Sequence, residues 1–410
     1  YFSSIVGTLF FILTPRIYGD SFYNMKDVIF LTFLCISIFY CFEFFKKKNI
    51  KNLIFFSIFS AFCIQTRNIG IFIPVSFFLF YFLSILANTR ELKFFGIHLI
   101  YLFLVLVFLY IFWPYLWESP IKQFFFIFSN IDTLIPSIKM LYKGDYINTK
   151  YMPYDYIFTW IIISSPIPHI IFFISGFILL LKRILMRLFT FENLKLNKYD
   201  LWRSNYEKQD LFMFFCFVSI IFFLIIFNVS LVNTWKYLYF LNLFIVYIVT
   251  FAIYKIKKQV KKNKFFFKSS ILFALIFVLF RMVQYHPYQG LYFNSLLTEK
   301  YKNNFDIDYT AIGGRNALEW ILNNEKNKKI IKVAAASWTP LSRSVEILDE
   351  NVRDKIQFIG QEYNNADYIY TNNISEVDKT KDNKYDIPLN FNKIYEHTID
   401  DLKIYTIYKN

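Results

Sequence analysis

The chain alternates long apolar runs with short linkers, and positive charge gathers in every second linker. The apolar runs lie at about 2–14, 28–45, 51–66, 70–88, 96–114, 157–181, 211–229, 236–254 and 266–283. A bilayer core takes roughly 20 mostly apolar residues per helix, and shorter spans are tolerated at modest cost. The runs predict a polytopic α-helical membrane protein with about nine spans, the third short and the first cut short. The linkers test this independently. Those at 46–52, 88–95, 182–210 and 255–264 hold 19 Lys/Arg in 54 residues, whereas those at 15–27, 66–70, 114–156 and 229–236 hold 8 in 69. Cytoplasmic loops carry the excess of Lys and Arg, so the first set is expected inside and everything after the ninth run outside.

Composition closes the other classes. The chain is 56% hydrophobic and 18% charged, where soluble domains carry roughly 45–50% and ~25%. Disorder, collagen, a coiled coil and a disulfide scaffold are excluded. A net charge of +15 would suit nucleic acid, but the surplus sits in the basic linkers, where topology accounts for it. No nucleic-acid partner is expected. Cys35, Cys41, Cys63 and Cys216 all fall in apolar runs and read as buried structural thiols, with no disulfide framework or zinc spacing. The chain opens at Tyr1 inside an apolar run, so it is expected to be an N-terminal truncation of a longer protein.

Two domains are expected: a helical membrane domain over 1–285, with an outside loop at 114–156 and a cytoplasmic loop at 182–210, and an extracytoplasmic α/β domain over 286–410. Residues 285–410 hold 16 Lys/Arg and 18 Asp/Glu, the balance of a soluble module. GGRNALEWILNNE (313–325) places Ala317, Leu318, Trp320 and Ile321 at helical spacing. KKIIKVAAAS (328–337), KIQFIG (355–360) and ADYIYTN (366–372) read as strands, and 392–409 as a hairpin turning at Ile399–Asp400–Asp401. Within the loop 114–156, IKQFFFIFSNI (121–131) reads as a helix lying on the membrane surface. The prolines of SSPIPH (164–169) predict a kinked or re-entrant start to the sixth span. The segment 182–210 is expected along the inner surface. No glycine-rich phosphate loop, H-E-x-x-H or serine elbow occurs.

The outside linkers are stripped of cations, yet most keep one at a helix end. TPRIYGDSFYNMKD (14–27) has Arg16, Asp20, Lys26 and Asp27; TRNIG (66–70) has Arg67; VNTWKYLY (232–239) has Lys236 beside Trp235; and HPYQGLYFN (286–294) begins with His286. Snorkelling anchors are the plain account of each cation, and helix capping that of Asp27. Taken together they form an anion-binding chamber at the outer leaflet. Such a chamber suits sugar transfer from a polyprenyl phosphate: cations stabilise the departing lipid phosphate, and a carboxylate takes the acceptor proton. A transporter or flippase of lipid-linked saccharide is the alternative, since it also needs cations at headgroup level. A non-catalytic scaffold is the third. Charges deep within the spans, which transport predicts, are nearly absent.

The ordered strings LTPRIYGDSFYNMKD (13–27), TRNIG and WPYLW (113–117) resemble the GT-C superfamily of multi-span glycosyltransferases. The similarity is to its bacterial protein-mannosyltransferase and aminoarabinose-transferase group (glycosyltransferase family 39-like). LYKGDYINTKYMPYDYIFTWIIISSPI (141–167) resembles the group's G-x(n)-P-x-x-Y…(T/S)-x-P segment through Gly144, Pro153, Tyr156 and Pro166. In WKYLYFL (235–241), Lys236 replaces the group's usual Arg, and HPYQGLYFN with 305–321 resembles the ending of one branch. The resemblance spans about 13–321. It implies a hexosyl- or pentosyltransferase of the cell envelope, in the plasma or inner membrane, using a polyprenyl-phosphate sugar and a glycan, lipid or protein acceptor. It also implies that the principal base lies upstream of Tyr1, so Asp27 is assigned to the catalytic site as base or as metal or substrate ligand. A divalent cation is compatible but not fixed. Arg16, Lys26, Arg67, Trp235, Lys236 and His286 are assigned to the substrate. Tyr292, Asn294 and Asp308 read as packing at the seam of the two domains, and Glu118 and Asp155 as solvated loop carboxylates.

Overall fold

The computed structural model describes the chain apart from residues 88, 130–136, 190–200, 233 and 261. Among the described residues up to Gln284, its α-helices in chain order are α1 (Phe2–Ile12), α2 (Pro15–Asp20), α3 (Met25–Lys46), α4 (Ile50–Thr66), α5 (Phe72–Ala87), α6 (Phe95–Phe112), α7 (Pro120–Ser129), α8 (Tyr156–Ser164), α9 (Ile167–Phe189), α10 (Asn205–Ile226), α11 (Leu241–Gln259) and α12 (Lys264–Gln284). Among the described residues, six helical stretches, which correspond to α3, α5, α6, α9, α10 and α12, are long and apolar enough to cross a membrane. The chain is a mostly helical, membrane-embedded protein. The other three expected runs are also helical, but shorter. α1 has 11 residues and α4 has 17, the latter about 25 Å long at 1.5 Å per residue. α11 ends in Lys255, Lys257 and Lys258, which leaves only Leu241–Tyr254 as its apolar length.

Two compact units divide the chain: 1–134, 166–229 and 237–280 form the first, and 135–165, 230–236 and 281–410 the second. The second unit thus takes in the latter half of the loop 114–156 and the helix that follows it. The break between the units falls at Ser165–Pro166, where SSPIPH ends α8 and starts α9. Pro166 disfavours helical backbone at Ser165, whose ψ of 143° is extended.

In the first unit, α3 and α4 form a helical hairpin joined by three residues. The N-cap of α3 is Asn24, whose side chain accepts from the Asp27 amide; Asp27 therefore sits inside the first turn and is not the cap. α7 covers most of the expected surface helix and buries no residue. The segment 182–210 begins and ends in helix, since α9 runs to Phe189 and α10 starts at Asn205; its centre, 190–200, lies outside the described residues.

Basic linkers meet at one end of this unit. Lys48 pairs with Glu91 at 2.9 Å, joining 46–52 to 88–95. Lys208 lies within electrostatic reach of both. Arg183 and Lys255 stand over the same Phe251 ring, which brings in the ends of α9 and α11. Charge alternation along the chain is therefore matched by geometry.

Gly176 sets the approach of α9 to α11. A Cβ there would lie 2.3 Å from the Ile248 carbonyl oxygen, whereas one at Gly96 meets nothing within 4 Å. Gly176→Ala is expected to cost about 1–3 kcal/mol through forced backbone displacement, with Gly96→Ala near neutral. Detergent-solubilised melting curves of the two variants check this.

The second unit carries a five-stranded sheet of order β4-β3-β5-β7-β6 beside the separate hairpin of β1 (Lys139–Tyr142) and β2 (Asp145–Asn148). β3 (Ile331–Ala335) pairs in parallel with β4 (Ile356–Phe358) and β5 (Tyr368–Thr371), while β6 (Asn392–Ile399) and β7 (Leu402–Lys409) are antiparallel. The helix at Ile312–Asn324 buries Ala317, Leu318 and Ile321, as its spacing predicts. Trp320 instead stacks on Tyr395 with ring centroids 4.7 Å apart. The β6–β7 turn places Asp400 and Asp401 at φ 53° and 60°, the twist of a type I′ hairpin. Asp400 is held there by Arg281 at 2.7 Å and Lys302 at 2.9 Å.

Candidate functional site

At the end of the first unit opposite the basic linkers, four segments converge. Pro15 opens α2, a position that tolerates its missing amide, and the helix carries Arg16, which is 1% exposed, and Asp20, which is half-buried. The Tyr239 hydroxyl donates to Asp20 Oδ2 at 2.6 Å. That hydroxyl also feels the charges of Arg16 and Asp27. The first turn of α3 brings Asp27, and the residue just past α4 brings Arg67. Because the α3–α4 hairpin is antiparallel, positions 40 residues apart meet.

Asp27 is 2% exposed. Its Oδ1 accepts from Arg67 Nε at 2.7 Å and Nη2 at 2.5 Å, and its Oδ2 accepts from Asn24 Nδ2 at 2.6 Å. A carboxylate engaged this way is built to hold a guanidinium in place. The Arg67 carbon Cζ stands 4.7 Å from the Tyr237 ring centroid, a cation–π contact that fixes the guanidinium plane. Lys26 is exposed beside the pair and feels both Arg67 and Asp27. The cluster thus holds Arg16, Lys26, Asp27 and Arg67 together, and adds Asn24, Asp20, Tyr237 and Tyr239.

Trp235, Lys236 and His286 belong to the second unit. Trp235 is 1% exposed and its indole donates to Ser164 Oγ at 2.9 Å. Lys236 is half-buried and opens a 3₁₀ turn at Lys236–Leu238. His286 is exposed, with Nδ1 3.1 Å from Gln289 Nε2. Among the described residues, no group of three His, Cys, Asp or Glu is arranged to hold a metal ion.

The seam residues have structural work within the second unit. Asn294 Nδ2 donates to the carbonyls of Ile162 and Ser165, both at 2.6 Å, which satisfies the open end of α8. Tyr292 is buried against Tyr285, ring centroids 5.2 Å apart. The Asp308 carboxylate accepts from the amides of Ile312 at 3.0 Å and Gly313 at 3.2 Å, capping the helix that starts there. Burial pushes its carboxyl above the ordinary range, against these bonds. Asp155 accepts from Tyr142 at 3.0 Å and pairs with Lys143 on an exposed surface.

Sequence reasoning noted Asp20 without choosing it, and passed over Tyr237 and Tyr239. Asp20 carried a signal, as a second carboxylate in a loop already rich in site residues. The tyrosines carried little, since 31 tyrosines in the chain dilute any one of them. No family model, curated protein or solved structure matches the chain.

Proposed function

We propose that the chain is a membrane glycosyltransferase of the GT-C kind. It moves a hexosyl or pentosyl group from a polyprenyl-phosphate donor to a glycan, lipid or protein acceptor on the extracytoplasmic face of the cell membrane. The observation that carries this reading is the Arg67–Asp27 pair, set beside Arg16, Asp20 and Tyr239 at the charge-poor end of the first unit. The scarcity of Lys and Arg in the linkers at that end supports its placement outside, together with the C-terminal sheet that follows α12.

In the reaction, the bond from the sugar's anomeric carbon to the phosphate oxygen breaks, and one to the acceptor oxygen forms. Negative charge collects on the departing lipid phosphate. Arg67, held by Asp27 and Tyr237, meets that charge with a guanidinium whose position is set beforehand, so little reorganisation is needed. Arg16 and Lys26 add positive potential. Asp20 is more open than Asp27, and is the carboxylate that an acceptor hydroxyl reaches.

The test uses sealed membrane vesicles of each orientation, the full chain, and radiolabelled polyprenyl-phosphate hexose. Label is expected to leave the lipid for an acceptor only when donor is presented on the extracytoplasmic face. If the labelled lipid crosses the bilayer with its sugar still attached, the transporter reading replaces this one.

A further inference from the structure

In the second unit, α8 is apolar on two faces and buries one of them. Tyr156, Trp160 and Ile163 are buried, and Trp160 packs on Phe305 and Phe293 of the same unit, ring centroids 5.3 and 6.0 Å apart. At about 100° per residue the opposite face carries Phe158 and Ile162, one turn apart and each 44% exposed. A third apolar side chain is held beside them. The Asn294 amide donates to the Ile163 carbonyl at 2.9 Å, its Nδ2 donates to the Ile162 carbonyl at 2.6 Å, and its Oδ1 accepts from the Leu296 amide at 2.9 Å. Leu296, fastened in this way to the end of α8, is 55% exposed. Tyr154, in the turn that leads into the helix, is 76% exposed.

Scattered exposed apolar residues need no account, but a group of them fastened together marks an interaction surface. Chain continuity says what covers this one. A helix apolar all round belongs inside protein or inside lipid. At nine residues α8 is about 14 Å long, under half of a ~30 Å hydrocarbon core, so it does not cross a membrane. Only Ser165 and Pro166 separate it from α9, which is long and apolar enough to cross one. Two residues reach ~7 Å at most, so the exposed face cannot leave the level at which α9 enters the bilayer. The second unit also takes in the last residues of α12, a further helix of that kind, from Arg281 onward. We infer that Phe158, Ile162 and Leu296 form a foot by which the second unit rests in the lipid surface at the end where α9 begins. Their side chains lie at the boundary of headgroups and acyl chains, and Tyr154 lies at headgroup level, where the amphipathic ring of tyrosine is favoured. This assignment stands apart from sugar transfer.

The experiment is electron paramagnetic resonance of the full chain in phosphatidylcholine liposomes, with a nitroxide attached at Phe158→Cys, Ile162→Cys or Leu296→Cys. The unsubstituted chain, treated alike, gives the background from Cys35, Cys41, Cys63 and Cys216. Dissolved oxygen concentrates in lipid and a water-soluble nickel chelate stays out of it, so the ratio of their relaxation effects reads depth. At 158 and 162 the oxygen-to-nickel ratio is expected to be several-fold above that of a label at Lys381→Cys, where the native side chain of the same unit is 82% exposed. Leu296→Cys, on a separate loop, should give the same ordering, and it carries the test if an α8 variant fails to accumulate. Ratios equal to that at Lys381→Cys overturn the inference, because the face then meets water. Labels shielded from both reagents overturn it as well, because a protein surface then covers the face in place of lipid.

Discussion

Asp27→Asn is expected to lower sugar transfer by about 100-fold or more while the protein still accumulates in the membrane. The neutral amide keeps the shape of the side chain but gives up the charge that holds Arg67 Nε and Nη2 on one oxygen. The guanidinium is then free to leave the position it holds for the departing phosphate in the proposed reaction, and losing one such placed donor costs ~10²–10³ in rate. Arg67→Ala is a different experiment. It leaves Asp27, with its side chain 3% exposed, buried without its counterion, at a cost of roughly 3–5 kcal/mol, so the amount of folded protein should drop with the activity. The double variant Asp27→Asn/Arg67→Gln removes both charges and is expected to recover the protein level without recovering transfer. Initial rates per folded protein in vesicles decide the matter: a double variant that transfers normally makes the pair structural only.

This prediction rests on residues that the sequence already placed together, and the reason is instructive. Asp27 and Arg67 lie at the two ends of a helical hairpin whose arms are apolar runs of similar length. Run length and linker charge suffice to put both at the same end. The partners inside the cluster were less legible. The Asp20–Tyr239 bond links positions 219 apart, and no local periodicity records that α2 and the entrance to α11 meet. The sixth run shows the same limit from another side. SSPIPH marked a break, but Trp160 then packs on Phe305 and Phe293, at 5.3 and 6.0 Å between ring centroids. Those contacts put α8 in the second unit, whereas α9, the rest of the sixth run, belongs to the first.

The tail was read well where its pattern was local. Strand alternation and a two-aspartate turn located the hairpin, because the apolar Leu402, Ile404 and Ile407 of β7 are buried in the sheet's core and the turn takes two left-handed residues. The domain boundary was not local. β1 and β2, which end 183 positions before the first strand of the sheet, are stitched into the second unit by the Asp306 amide on the Leu141 carbonyl at 3.0 Å, and by the Gly144 amide on the Asn304 carbonyl at 2.9 Å. Backbone pairing of this kind leaves no trace in side-chain composition.

That stitch carries the second large effect, a dependence of stability on pH. The Asp306 carboxylate accepts from the Leu141 amide at 2.8 Å and the Tyr309 hydroxyl at 3.1 Å, and is 3% exposed. Burial pushes its carboxyl up to about 7 from an ordinary 3.8; the two bonds and the positive charge of Lys379 oppose the shift without cancelling it. The folded state therefore binds this proton more tightly than the unfolded chain does. Its contribution to stability is full below about pH 4 and is lost as pH rises through about 7. A rise from 3.8 to about 7 corresponds to roughly 4 kcal/mol at most. Hydrogen exchange of the full chain, corrected for intrinsic rates, should show the amides of 139–148 and 304–309 better protected at pH 5 than at pH 8. In Asp306→Asn, which is neutral throughout, that difference should shrink several-fold and protection at pH 8 should rise. If wild type and variant show the same dependence on pH, the proton is not held at Asp306, and the hairpin owes its attachment to the backbone bonds and the apolar contacts of Tyr142 with Phe305 alone.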